Sequence, residues 1–282
     1  ANTTGAENAA VGKSALAANT TGANNIAVGS GALASNTTGG GSVAVGKNSM
    51  NSNTTAINNT AVGMNSLQGN TTGTANVALG RNALQANTTA SNNTAVGYLS
   101  LTANTTGQYN VALGSGALDS NTTANNNTAV GFGVMDANTT GSENVAVGRY
   151  ALTSNTTAAN NVAIGNTALY LNTTGANNTG LGKGALYANT TGTQNTAVGA
   201  ISLTANTQGI YNTAIGYDSL GTTTTGSYNI GLGRDAKSSS ATASNQCTLG
   251  DSNINNLRCN DTSISSLSDS RDKTDVIDSP YG

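Results

Sequence analysis

The chain has 282 residues, a formal net charge of −2 and 8% charged residues, with no tryptophan, no histidine and a single phenylalanine. This composition excludes a compact globular core of ordinary aromatic content. The lack of histidine and the scarcity of carboxylates argue against a metal site, a catalytic triad or a bound cofactor. The net negative charge disfavours nucleic acid as a partner. Without a run of about eighteen apolar residues, we expect no membrane insertion.

A fixed repeat organises most of the sequence. The tripeptide Asn-Thr-Thr recurs every seventeen residues from Asn2 to Asn189 without insertion or deletion. It continues in register as Asn-Thr-Gln at Asn206 and with Thr223 in the next unit. A unit this short has no core of its own and must stack on its neighbours. It is also too short for a helix pair, which needs around thirty residues. The pattern therefore predicts an all-β fold, a parallel β-roll or β-solenoid of fourteen seventeen-residue coils over residues 1–237.

The repeat at residues 19–35 shows the predicted elements in chain order. Asn-Thr-Thr-Gly at its start is a turn signal, because Asn and Thr side chains cap their own backbone. Asn25 follows, and an Asn stands at the same place in almost every coil. Stacked Asn side chains can hydrogen-bond from coil to coil, so we expect an internal or turn-associated Asn ladder.

Two strands are predicted in each coil. In the first, residues 25–29, the column of Val28 is always Val, Leu or Ile, and the column of Ala27 is always Ala or Gly. Successive strand side chains point to opposite faces, so we expect the aliphatic column inside the coil and the alanine column covered by another copy of the chain. Gly29 ends this strand, where a positive φ or a close backbone approach needs a residue without Cβ. A second strand carrying Leu33 is expected to face the first.

After residue 237 the repeat loosens. Residues 238–267 are predicted to form a degenerate last coil and a linker, and residues 268–282 a separate segment. Fourteen or fifteen parallel coils about 4.8 Å apart would give a shaft on the order of 70 Å.

The unit Asn-x-Ala-Val-Gly-x-x-Ala-Leu resembles the repeat of trimeric autotransporter adhesin heads, and the array is more similar still to the Asn-Thr-Thr-Gly arrays of bacteriophage tail fibres. These resemblances imply a parallel β-roll assembled as a homotrimer. Residues 249–267 resemble the linker that leads into the endosialidase-type intramolecular chaperone of phage fibres, and residues 268–273 resemble the opening motif of that domain. The resemblance implies a truncated chaperone segment at 268–282, with Ser268 as nucleophile and Lys273 as base for self-cleavage at the Leu267–Ser268 bond. The alternative is that both are ordinary polar residues.

Tyrosines at exposed offsets are the candidate glycan contacts, since exposed tyrosines stack on sugars and also mark interfaces. Inter-chain packing is the alternative role. These candidates are Tyr98, Tyr109, Tyr211, Tyr217 and Tyr228.

The sequence thus predicts a structural protein, not an enzyme apart from single-turnover self-cleavage. We expect the trimeric shaft of a viral tail fibre, located in the virion, whose partners are its own copies and a host surface glycan. One alternative is a bacterial surface adhesin or extracellular filament subunit, located at the cell surface or outside the cell. Another is a carbohydrate-binding module.

Overall fold

A computed structural model describes residues 2–254 of the chain. The chain divides into two units, residues 1–251 and 252–282, and every strand described lies in the first. Residues 2–254 contain no helix, and so none that could cross a membrane. Their strands form one parallel sheet in which each strand is bonded to the next in sequence order.

Each strand is three residues long. The strands are β1 Ala9–Val11, β2 Ile26–Val28, β3 Val43–Val45, β4 Thr60–Val62, β5 Val77–Leu79, β6 Thr94–Val96, β7 Val111–Leu113, β8 Thr128–Val130, β9 Val145–Val147, β10 Val162–Ile164, β11 Thr179–Leu181, β12 Thr196–Val198, β13 Thr213–Ile215, β14 Ile230–Leu232 and β15 Cys247–Leu249.

The register of the sheet follows the sequence period without a slip. Ala27 of β2 lies beside Ala44 of β3, and Val28 lies beside Val45. The same pairing of equivalent residues continues from coil to coil up to Leu232 and Leu249. The predicted all-β fold, a parallel solenoid of seventeen-residue coils, is confirmed.

The prediction of which strand face lies inside was wrong. Ala27 is fully buried, whereas Ile26 and Val28 are 44% and 37% exposed. The interior of a coil is too narrow for a larger side chain at the middle of the strand. At Gly180, which occupies this column, an added Cβ would already lie 3.5 Å from Cδ1 of Leu169. Alanine therefore fills the inside, and the aliphatic column faces outward.

The predicted second strand was also wrong. Leu33 lies in a turn with a φ of 49°, and its equivalents in the other coils have similarly positive φ angles. A left-handed conformation costs an L-residue about 1–2 kcal/mol. Leu33 is completely buried, and burying a leucine side chain contributes about 1.5–3 kcal/mol. Its amide also donates to the carbonyl of Ser49 at 3.1 Å, and the equivalent amide of Met50 donates to the carbonyl of Ser66 at 3.0 Å. Burial and pairing together offset the backbone cost.

Two buried asparagine ladders run through the solenoid, and the predicted internal ladder is one of them. Nδ2 of Asn76 donates to the carbonyl oxygen of Ala90 at 2.9 Å, and its backbone amide donates to Oδ1 of Asn59 at 2.8 Å. The second ladder is built from the Asn-Thr-Thr turns, where Nδ2 of Asn36 donates to Oδ1 of Asn19 at 2.9 Å. Each ladder satisfies amides that would be costly to bury alone.

Candidate interaction surface

The outward side of the sheet is the most extensive candidate surface in the described part of the chain. The first and third residues of each strand point out, and the third is aliphatic without exception. We call these outward residues of β1 to β15 the aliphatic face. Its third-residue row consists of Val11, Val28, Val45, Val62, Leu79, Val96, Leu113, Val130, Val147, Ile164, Leu181, Val198, Ile215, Leu232 and Leu249.

Many side chains of the aliphatic face keep more than a third of their surface exposed to solvent in the single chain. Leu79 and Ile215, for example, are 36% and 45% exposed. The first-residue row is mixed: it is Ala9 in β1, Cys247 in β15, and Val, Ile or Thr in the strands between them. No residue of the fifteen strands is charged. A face three residues wide and fifteen strands long measures about 10 Å by 70 Å, or roughly 700 Å². The largest apolar patch of a typical monomer is about 300–600 Å², so this face has the size and composition of an interaction surface.

The five candidate glycan-contact tyrosines are all exposed but do not meet in one place. Tyr211 and Tyr228 lie in adjacent coils and stack with their ring centroids 4.9 Å apart. Tyr98 and Tyr217 lie seven coils apart, and each ring has an arginine guanidinium carbon 5.9 Å from its centroid. Tyr109 has no aromatic neighbour among the described residues. These positions support separate contacts, not a single pocket.

A groove that the sequence analysis missed lies in the turns after β6 to β9. It has a volume of about 410 Å³. Its lining carries aromatic rings, two carboxylates and two glycines. The lining residues are Tyr98, Leu99, Ser115, Gly116, Asp119, Phe132, Gly133, Asp136 and Tyr150. Of these, only Tyr98 was a candidate from the sequence. The available signal was the succession of glycines at 116 and 133, in a column filled by larger residues in the coils on either side.

Electrostatics in the groove are set by the two aspartates. Asp119 and Asp136 occupy equivalent positions in adjacent coils. Partial burial of the carboxyl, and then the negative charge of Asp119, raise the pKa of Asp136 above its ordinary value of 3.8. Within residues 2–254 neither carboxylate has a hydrogen-bond or ion-pair partner. Both oxygen pairs are therefore free to accept hydrogen bonds from a bound molecule.

Ser268, Lys273 and the Leu267–Ser268 bond lie outside the described residues. Self-cleavage there stays a prediction. A serine becomes a nucleophile only when a base takes its proton, and a lysine serves as that base only when its pKa is lowered.

Comparison with known proteins found no match to a family model, to a curated protein or to a solved structure.

Proposed function

We propose that the chain is the structural shaft of a homotrimeric fibre, and that the aliphatic face is where three copies meet. The observation that carries this proposal is the unbroken outward row of Val, Leu and Ile from Val11 to Leu249. If this row faced water, its apolar side chains would contribute no free energy of burial. The same row buried between chains contributes the free energy of apolar burial in each coil.

A second copy of the same chain is the partner that matches this face best. Equivalent residues repeat at every coil in constant register, so another copy offers apolar side chains at the same spacing over the whole length. The whole face of roughly 700 Å² on each chain, shared between its neighbours, is slightly smaller than the approximately 800 Å² that each partner contributes to one standard protein interface. Coil-by-coil matching also covers the exposed aliphatic side chains, which would otherwise favour uncontrolled association.

Three copies suit the two-row pattern of the face. In a closed threefold arrangement each chain contacts two neighbours. The strictly aliphatic row then lies nearest the symmetry axis, where water is excluded. The mixed row, with Thr60 in β4 and Val77 in β5, lies toward the margin, where hydroxyl groups are tolerated. The trimer thus forms through the aliphatic face and not through the alanine column, which is already buried inside each coil.

Such a shaft functions as a spacer, and its length is set by the number of coils. Each coil adds about 4.8 Å and repeats the same contacts. Removing residues 104–154, which are three whole coils, should leave a folded protein that is shorter by about 14 Å. Small-angle scattering of the purified protein measures this change. Removing residues 104–128, which breaks the period, is the matched control and should disrupt folding. If both deletions fold equally well, the coils are not the interchangeable spacers proposed.

The fibre is proposed to be a viral tail fibre, on the strength of the Asn-Thr-Thr-Gly array, and to display its surface to a host cell. Antibodies raised against residues 2–237 test this by electron microscopy. Label on fibres that project from virus particles supports the tail-fibre assignment. Label on the surface of uninfected bacteria instead supports the adhesin or filament alternative.

A further inference from the structure

The groove between Tyr98 and Tyr150 exists because two successive coils carry glycine where their neighbours carry a side chain. Leu99 and Tyr150 occupy this column on either side of Gly116 and Gly133. A Cβ added at Gly116 would meet only Oδ1 of Asp136, at 3.9 Å. At Gly133 the ring of Tyr150 fills the space that a side chain would occupy, since a Cβ there would lie 2.7 Å from Cε1 of Tyr150. The groove is therefore open at Gly116 and closed by the Tyr150 ring.

The aromatic walls are held in place by contacts with each other. The rings of Phe132 and Tyr150 meet edge to face, with centroids 5.3 Å apart and an interplanar angle of 73°. The guanidinium carbon of Arg149 lies 4.7 Å from the centroid of Tyr150. Tyr98 and Phe132 remain about half exposed, at 48% and 52%. They present ring surface for a bound molecule, while Tyr150 forms a fixed end wall.

We propose that this groove binds a short segment of a neutral saccharide. Ionised carboxylates accept hydrogen bonds and cannot donate them, and the hydroxyl groups of a sugar are donors. Aromatic rings pack against the apolar C–H faces of sugar rings. The unpartnered carboxylates of Asp119 and Asp136 and the exposed faces of Tyr98 and Phe132 thus match the two kinds of surface that a sugar carries. A volume of about 410 Å³ is at the lower end of the approximately 300–1,000 Å³ of small-molecule sites, so the segment is short.

Charge in and around the groove favours a neutral sugar over a charged ligand. The two carboxylates repel an anionic sugar. A cationic ligand would be attracted to the two carboxylates, but it would also meet positive charge that already lies beside the aromatic rings. Arginines already lie over two of them, with Arg81 at 5.9 Å from the centroid of Tyr98 and Arg149 at 4.7 Å from that of Tyr150. The groove is built within one chain, so this proposal does not depend on the shaft function or on trimer formation.

The test is titration of the full chain with neutral trisaccharides of glucose, galactose, mannose and N-acetylglucosamine. Saturation-transfer NMR detects contact with the aromatic rings, and calorimetry gives the Kd. We expect at least one trisaccharide to bind with a Kd on the order of 1 mM or tighter.

Gly116→Asn is the sharpest variant. Asparagine adopts positive φ in the same column at Asn48, Asn65 and Asn82, so the backbone accepts it and the side chain fills the groove. Binding should weaken by at least about tenfold. Gly184→Asn is the matched control, because Gly184 has a φ of +64° in the same column and lies away from the groove.

Phe132→Ala and Asp119→Asn test the wall and the acceptor separately, and each should weaken binding by roughly three- to tenfold. Met64→Ala, which removes a large exposed side chain from the Phe132 column outside the lining of the groove, should leave binding unchanged. The proposal is overturned if no neutral trisaccharide binds at about 10 mM, or if Gly116→Asn leaves binding intact. It is also overturned if spermidine binds more tightly than every neutral sugar. If the chain binds sugar but is a monomer, the trimer proposal is contradicted and the groove proposal stands.

Discussion

Nδ2 of Asn104 donates to Oδ1 of Asn87 at 3.0 Å, and both side chains are fully buried. The same amide donates to the carbonyl of Gly107 at 2.9 Å, and Oδ1 of Asn104 accepts from Asn121 at 2.9 Å. One side chain thus joins three successive coils and closes its own turn. The ladder is the polar counterpart of the buried leucine column.

Asn104→Ala should lower the free energy of unfolding by about 2–4 kcal/mol, because it removes these bonds and leaves buried partners unsatisfied. Urea unfolding followed by circular dichroism measures the change. Thr106→Ala in the same turn is the control, because the Thr106 side chain is exposed, and it should change stability by less than about 0.5 kcal/mol. Equal effects of the two substitutions would mean that the ladder does not hold the coils together.

Gly114→Ala should be among the most destabilising single changes in the array. Gly114 has a φ of +134°, and a Cβ there would lie 2.2 Å from the carbonyl oxygen of Gly131 in the next coil. We expect a loss of roughly 3 kcal/mol or more from this clash and the backbone strain. At Gly184 a Cβ would meet Cγ2 of Ile201 at 3.4 Å, so Gly184→Ala should cost only about 1–2 kcal/mol. A smaller loss at Gly114 than at Gly184 contradicts the close approach of the coils.

Ala75→Asn should stabilise the protein. Ala75 has a φ of 56°, and its equivalents Asn58 and Asn92 have φ angles of 60° and 62°. Asparagine tolerates the left-handed region better than alanine, so the gain should be about 0.5–1 kcal/mol. Ala103→Asn, at a position without a positive φ, is the control and should bring no gain. Thermal unfolding of the two variants distinguishes these outcomes.

Asp136 should make stability depend on pH in a specific direction. Partial burial and Asp119 raise the pKa of Asp136 above 3.8, so folding disfavours its ionised form. Its contribution to stability is therefore full below pH 3.8 and is lost as the pH rises through the folded-state pKa. Asp136→Asn should raise the melting temperature at pH 7, and the advantage should shrink as the pH falls toward 3.8. Glu143→Gln, which also removes one negative charge, is the comparison. If the difference in melting temperature between Asp136→Asn and the wild type grows as the pH falls, folding lowers the pKa of Asp136 and the prediction is wrong.

The period, the parallel sheet and the Asn ladder could be predicted because they depend only on which residues recur at a fixed spacing. The alternation of Ala27 and Val28 could not reveal which of them lies inside, since it is symmetrical with respect to the two faces. The choice depends on what else fills the interior, and there the side chain of Leu33, from a left-handed turn, is completely buried. Leucine rarely adopts this conformation, so its column was interpreted as a strand.

The groove could not be predicted for a different reason. Asp119, Phe132 and Tyr150 lie in three successive coils, and only the stacking of those coils brings them together. The aliphatic face was visible as a column in the sequence, but its exposure became evident only once the interior was known to hold Ala27 and Leu33.

The most direct test of the account is the mass of the native particle by sedimentation equilibrium. The chain has a mass of 27.7 kDa, so we expect a trimer of about 83 kDa. Placing lysines on the aliphatic face, as in Leu79→Lys combined with Val147→Lys, should reduce this mass toward that of the monomer while the coils stay folded. Thr106→Lys, on an exposed turn, should leave the trimer intact. A wild-type chain that sediments at 27.7 kDa with its aliphatic face in water would contradict the account.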